Sequence, residues 1–127
     1  MAYHVSKTTF GELVERALEE LPEQFARHLE EVSIEIRDRP SIRQLKQVGV
    51  GKKRHLLLGL YDGVPMTHRS VEHSGLRPPV IYLFQEDIEL ASSSEQDLIE
   101  QVRKTVLHEI GHHFGMDEDD LDELGYG

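Results

Sequence analysis

The chain has no cysteine among its 127 residues, which excludes a disulfide framework, a thiolate metal site and a cysteine nucleophile together. Any metal must therefore be held by His, Asp or Glu. No apolar run approaches the roughly eighteen residues of a membrane span. The start, Met1 to Lys7, lacks the basic-then-apolar pattern of a secretory signal. We expect no membrane partner and a cytoplasmic location. Basic residues are also scarce, 14 against 24 acidic for a formal net charge of −10, so nucleic acid is not an expected partner, because phosphate binding draws on Lys and Arg. Seven of the 14 fall between Arg37 and Arg54, a local exception that reads as a solvated loop. No repeat or low-complexity tract is visible. With 38% apolar and 30% charged residues, the composition fits one globular domain over residues 1–127.

The apolar residues show where the elements lie. Phe10, Leu13, Val14, Ala17, Leu18 and Leu21 recur at three and four residues, predicting a helix from Thr8 that Pro22 resets. A second helical piece is expected from Pro22 to Leu29. Val32, Ile34 and Ile36 alternate with Ser33, Glu35 and Arg37, the two-residue period of a strand with one buried face. Residues 39–55, with Pro40, Gly49 and Gly51 and much charge, read as a mobile connection. Leu56 to Tyr61 fits a strand buried on both faces and closed by Asp62-Gly63. Val80 to Phe84 reads as a third strand, placed at an edge or a strand start by Pro78-Pro79. The last long helix is expected to start at the serines 92 to 94 and to stop at Gly115. Three strands with several helices predict an α+β fold.

On that last helix Leu98, Ile99, Val102, Val106, Leu107, Ile110 and Phe114 share one half-circle, and Gln101, Thr105, His108 and His112 form a polar stripe on the other side. His108-Glu109-Ile110-Gly111-His112 is H-E-x-x-H. Four residues make just over one turn, so both imidazoles leave one face and can ligate one zinc ion, while Glu109 is placed as general base. A catalytic zinc takes a third protein ligand. Glu118 stands at the eleventh position of the motif, where the metzincin pattern has its last histidine; Asp119 and Asp122 are the alternatives in an acidic run. His113 falls in the apolar half-circle and reads as a packed, hydrogen-bonded core histidine. Tyr126, Tyr82 and His68 are candidate oxyanion donors, with packing or surface roles as their alternative.

Thr105 to Gly115, the Leu58 to Pro65 turn, the opening from Leu13-Val14 to Leu21-Pro22 and the Leu124-Gly125-Tyr126 ending resemble the bacterial minimal zincin-like metallopeptidases over essentially the whole chain. The resemblance implies a compact zincin-like fold, a small mixed sheet packed on helices, and one zinc on His108, His112 and an acidic ligand matching Glu118. Unlike metzincins, the chain has no methionine turn: nine residues follow Glu118. The expected activity is hydrolysis of a peptide or unfolded protein, lying extended beside the sheet with Val80 to Phe84 as the candidate edge. Small endoribonucleases that mature ribosomal RNA space three zinc ligands similarly but lack the motif's glutamate. A zinc-stabilised binding module without turnover is the other alternative.

Overall fold

The computed structural model describes residues 2–49, 56–63, 78–116 and 119. Helix α1 spans Lys7–Glu19, its first turn capped by the Ser6 hydroxyl, which accepts from the Thr9 N–H. Phe10, Leu13, Val14 and Ala17 are the buried face read from the pattern. The second helical piece divides into α2, Glu23–Ala26, and a 3-10 turn, Arg27–Glu30. Strand β1 covers Ser33–Arg37, α3 Ile42–Gln47, β2 Gly59–Asp62, β3 Val80–Phe84, α4 Gln85–Leu90 and α5 Glu95–His113.

The strands form one mixed sheet in the order β1-β3-β2, with β1 parallel and β2 antiparallel to β3. This corrects the expectation of an edge at Val80 to Phe84: that strand is central, and among the described residues β1 and β2 are the edges. The prolines are compatible with a central strand because both precede Val80, so no ladder donor is lost, and the Pro79 carbonyl accepts from the Ser33 N–H. Edge position also explains why the one-sided burial of the first strand fades. Val32 is 4% exposed and Ile36 36%, since the helices cover β3 and leave the far end of β1 open. The second strand is shorter than Leu56 to Tyr61, and Leu56 is exposed.

Two helices escape the apolar pattern. In α3, within the stretch expected to be a loop, Ser41 and Gln44 form a capping box, each side chain bonding the other's main-chain N–H. In α4 the buried residues are Gln85, Asp87, Ile88 and Glu89, so a mostly polar face hides the amphipathic period. Helix α5 packs between α1 and the strands β2 and β3. The core gathers Phe10, Leu13, Val14 and Ala17 from α1, Ile81 and Leu83 from β3, and Leu98, Val102, Val106 and Ile110 from α5. No helix among the described residues is long and apolar enough to cross a membrane.

The segment before α1 is tied to α4 by one carboxylate. Glu89, 4% exposed, accepts from the Val5 N–H at 2.8 Å and the Gln85 amide at 3.2 Å and lies 3.2 Å from His4 Nδ1. Burial opposes its charge, but the bonds from Val5, Gln85 and His4 outweigh that and hold the carboxyl below its ordinary value. Because the folded value is the lower one, the stabilisation is complete above the ordinary carboxylate value and is lost as pH falls through the folded value. Glu89→Gln should therefore reduce stability by about 1–3 kcal/mol near neutral pH, and the gap from wild type should narrow in acid. Urea unfolding across that pH range measures both; a gap that stays constant with pH would rule the account out.

Candidate metal centre

Helix α5 starts at the Ser94 cap, whose hydroxyl accepts from the Asp97 N–H. It ends where Gly115 turns to a φ of 81°, with Met116 N–H donating to the Gly111 carbonyl and Gly115 N–H to that of His112. This is the Schellman arrangement that glycine favours. Between these ends the apolar half-circle is buried as expected except for Phe114, which is half-buried at the rim against Phe25 and His28. Three of the four residues of the polar stripe, all but His112, form a wall. Gln101, Lys104, Thr105 and His108 line a cleft of about 280 Å³ whose other wall is Leu57, Leu58 and Gly59, and Glu109 borders it.

At Gly59 the sheet approaches α5 too closely for a side chain. A Cβ there would lie 2.5 Å from Thr105 Cγ2 and 3.0 Å from the Tyr82 carbonyl oxygen. Thr105 has little room to yield, since its hydroxyl donates to the Gln101 carbonyl at 2.7 Å and it is β-branched. Gly59→Ala is thus expected to lose about 1–3 kcal/mol by overpacking. Thr105→Ala on the same chain should return part of it, through a coupling of about 0.5–3 kcal/mol. Strict additivity of the two changes in denaturant unfolding would refute the contact.

His108 and His112 bring their Nε2 atoms to 3.3 Å, with the rings edge to face. Two ligands at zinc distances of about 2.0–2.1 Å and a tetrahedral angle stand about 3.3–3.4 Å apart, so the pair fits a shared zinc. With Glu109 they make a group whose ligand atoms all lie within 4.8 Å of one another. Glu109 is 7% exposed; its Oε1 accepts from the Tyr61 N–H at 2.7 Å, and its Oε2 lies 3.8 Å from His108 Nε2. The proposed third ligand, Glu118, and its alternative Asp122 lie outside the described residues, as do His68 and Tyr126; Asp119 is exposed. Tyr82 is not at the site. It stacks on Phe84 beneath the Arg37 guanidinium, away from the inward-facing Ile81 and Leu83.

His113 is fully buried, as the helical wheel indicates, and hydrogen-bonded at both nitrogens. Nδ1 is 2.9 Å from the Tyr61 hydroxyl and Nε2 is 3.1 Å from Glu31 Oε2. That bond to His113 holds the Glu31 carboxyl below the usual carboxylate range. Neither Tyr61 nor Glu31 stands out in the sequence. They lie 52 and 82 residues from His113, and no local spacing encodes such a pairing.

Known proteins extend this picture. A family model described as zincin-like metallopeptidase matches residues 29–127. The solved structure of a conserved hypothetical protein from Thermus thermophilus is similar at 27% identity and a TM-score of 0.54, covering 94% of this chain and 97% of that one. Comparison with curated proteins yields no match. A helix carrying two facing histidines and a buried glutamate, on a small mixed sheet and within the matched segment, agrees with that description, and the chain belongs to the zincin-like metallopeptidase family.

Proposed function

We propose that this protein is a zinc-dependent peptidase in which His108, His112 and Glu118 hold the metal and Glu109 is the general base. The observation that carries this reading is the 3.3 Å approach of the two Nε2 atoms beside a carboxylate held by a main-chain donor. Zinc at such a centre supplies Lewis acidity, lowering the pKa of water to about 7 and polarising the scissile carbonyl. Glu109 takes the proton of the attacking water on Oε2, the oxygen on the His108 side, and returns it to the leaving nitrogen. Oε1 stays with the Tyr61 N–H, so the carboxylate does not swing between the two tasks.

The strand beside the centre is β2. The Phe84 N–H donates to the Leu58 carbonyl, so the alternation of an antiparallel pair turns the Leu60 and Asp62 main chain toward β3 and that of Gly59 and Tyr61 outward. An extended polypeptide would meet the Gly59 main chain there and place a side chain in the cleft bounded by Leu57, Leu58 and Lys104. The test uses zinc-loaded protein with unfolded casein and, separately, with structured RNA. We expect casein cleavage that a chelator stops and zinc restores, with RNA intact. Chelator-sensitive RNA cleavage with casein untouched would replace the peptidase with a nuclease, and inertness toward both would leave a binding module.

A further inference from the structure

We propose that Glu31, His113 and Tyr61 form a positioning relay for Glu109, fixing which carboxylate oxygen can receive the proton. This rests on the peptidase reading above. Tyr61 is attached to α5 at two points. Its N–H donates to Glu109 Oε1 at 2.7 Å, and its hydroxyl meets His113 Nδ1 at 2.9 Å. Residues 109 and 113 are four apart and therefore share one helix face, so a single strand residue bridges a full turn of the helix that carries the metal-site histidines. Tyr61 cannot shift along α5 without breaking one bond or the other.

The direction of the relay follows from what each group can do. An ionised carboxylate only accepts, so Glu31 Oε2 accepts a hydrogen bond from His113 Nε2–H at 3.1 Å. In the neutral ring Nδ1 is then an acceptor, and the Tyr61 hydroxyl donates to it. Glu31 thus selects the tautomer, the tautomer orients the tyrosine, and the tyrosine main chain holds the base. An apolar residue at position 113 would fill the core without the demand for partners that a fully buried imidazole makes. What an apolar residue cannot do is fix Tyr61 in register with Glu109. Glu31 also lies 3.4 Å from His28 Nδ1, so the relay begins at the end of the 3-10 turn, far from α5 in chain order.

Tyr61→Phe tests this with the smallest change, removing the hydroxyl and keeping ring and strand. Its first readout needs no substrate: the Tyr61 amide proton, bonded to a carboxylate, should resonate far downfield in wild-type NMR spectra. Tyr61→Phe should move it upfield and speed its exchange with solvent, with zinc stoichiometry unchanged. The second readout is casein-peptide hydrolysis, where kcat should fall about ten- to a hundredfold with KM preserved. Glu31→Ala should act in the same direction and Glu31→Gln should restore most of the rate, because the amide oxygen still accepts from Nε2. Glu31→Ala leaves the buried imidazole without its acceptor and should lower the melting temperature, whereas Glu31→Gln keeps the bond, so rates are compared well below both melting temperatures. An amide resonance and kcat both unmoved by Tyr61→Phe overturn the relay. So does a lowered melting temperature with kcat and KM changing together and the amide unmoved, since that is a merely structural role. A wild type that cleaves no polypeptide defeats the peptidase reading and the relay's role with it, and the amide measurement shows separately whether the bonds themselves exist.

Discussion

Glu109→Gln should retain zinc and fold while hydrolysis falls by about a hundredfold to ten-thousandfold, which is about 2.7–5.5 kcal/mol of transition-state stabilisation. The side chain is nearly isosteric, and its amide oxygen can keep the bond from the Tyr61 N–H that Oε1 accepts now. Keeping that bond orients the amide, and its NH2 then occupies the place of Oε2 on the His108 side. A donor stands where an acceptor is needed, so even the weak basicity of an amide oxygen is turned away from the reacting water. Zinc content, melting temperature and cleavage rate should be measured on one preparation. If the variant cleaves as fast as wild type with the metal in place, the base is another residue or the activity belongs to a contaminant.

His108→Ala or His112→Ala should weaken zinc retention by more than the ten- to hundredfold typical of losing a residue that merely supports a ligand. The two imidazoles face each other across 3.3 Å, and on the proposed ligand set removing either would leave one histidine and Glu118 to hold the ion. Both positions lie on α5, and alanine is the best helix former, so the metal-free variants should melt close to the metal-free wild type. The difference should appear only with zinc, where wild type gains about 2.7 kcal/mol at a free concentration a hundred times its dissociation constant and the variants gain little. Competition with a chromogenic chelator reads the affinity. Stoichiometric zinc surviving in the double variant would remove these histidines from the metal centre.

How legible the fold is depends on how local its determinants are. Helices α1 and α5 are readable because one side of each is apolar at the helical period and Ser94 and Gly115 mark the ends of α5, and strand β3 because Val80 to Phe84 is a short continuous apolar run preceded by two prolines. Helix α4 is not, since its buried Gln85, Asp87 and Glu89 look like a solvated stretch until their partners are known. The strand order at Val80 to Phe84 is hidden because a proline before a strand limits only its own missing donor and says nothing about what pairs on either side. The pair of histidines and their glutamate needs only a spacing of four on a helix. The environment of that glutamate needs Tyr61, 48 residues earlier, and through it Glu31, which no periodicity links to the motif.

The central position of β3 also sets a timetable for synthesis. β1 and β2 do not pair with each other, so among the described strands no pairing can form until Val80 to Phe84 has left the ribosome. Ser33, the first residue of β1, is translated 80 − 33 = 47 residues before its partner Val80, a wait of about 2–9 s at ordinary elongation rates of about 5–20 residues per second. The histidines come later still, on a helix that packs against the finished sheet. Until His112 is translated the chain lacks half of the facing pair. On the peptidase reading proposed above, order of translation would thus delay hydrolysis until the helix that carries the centre has been made.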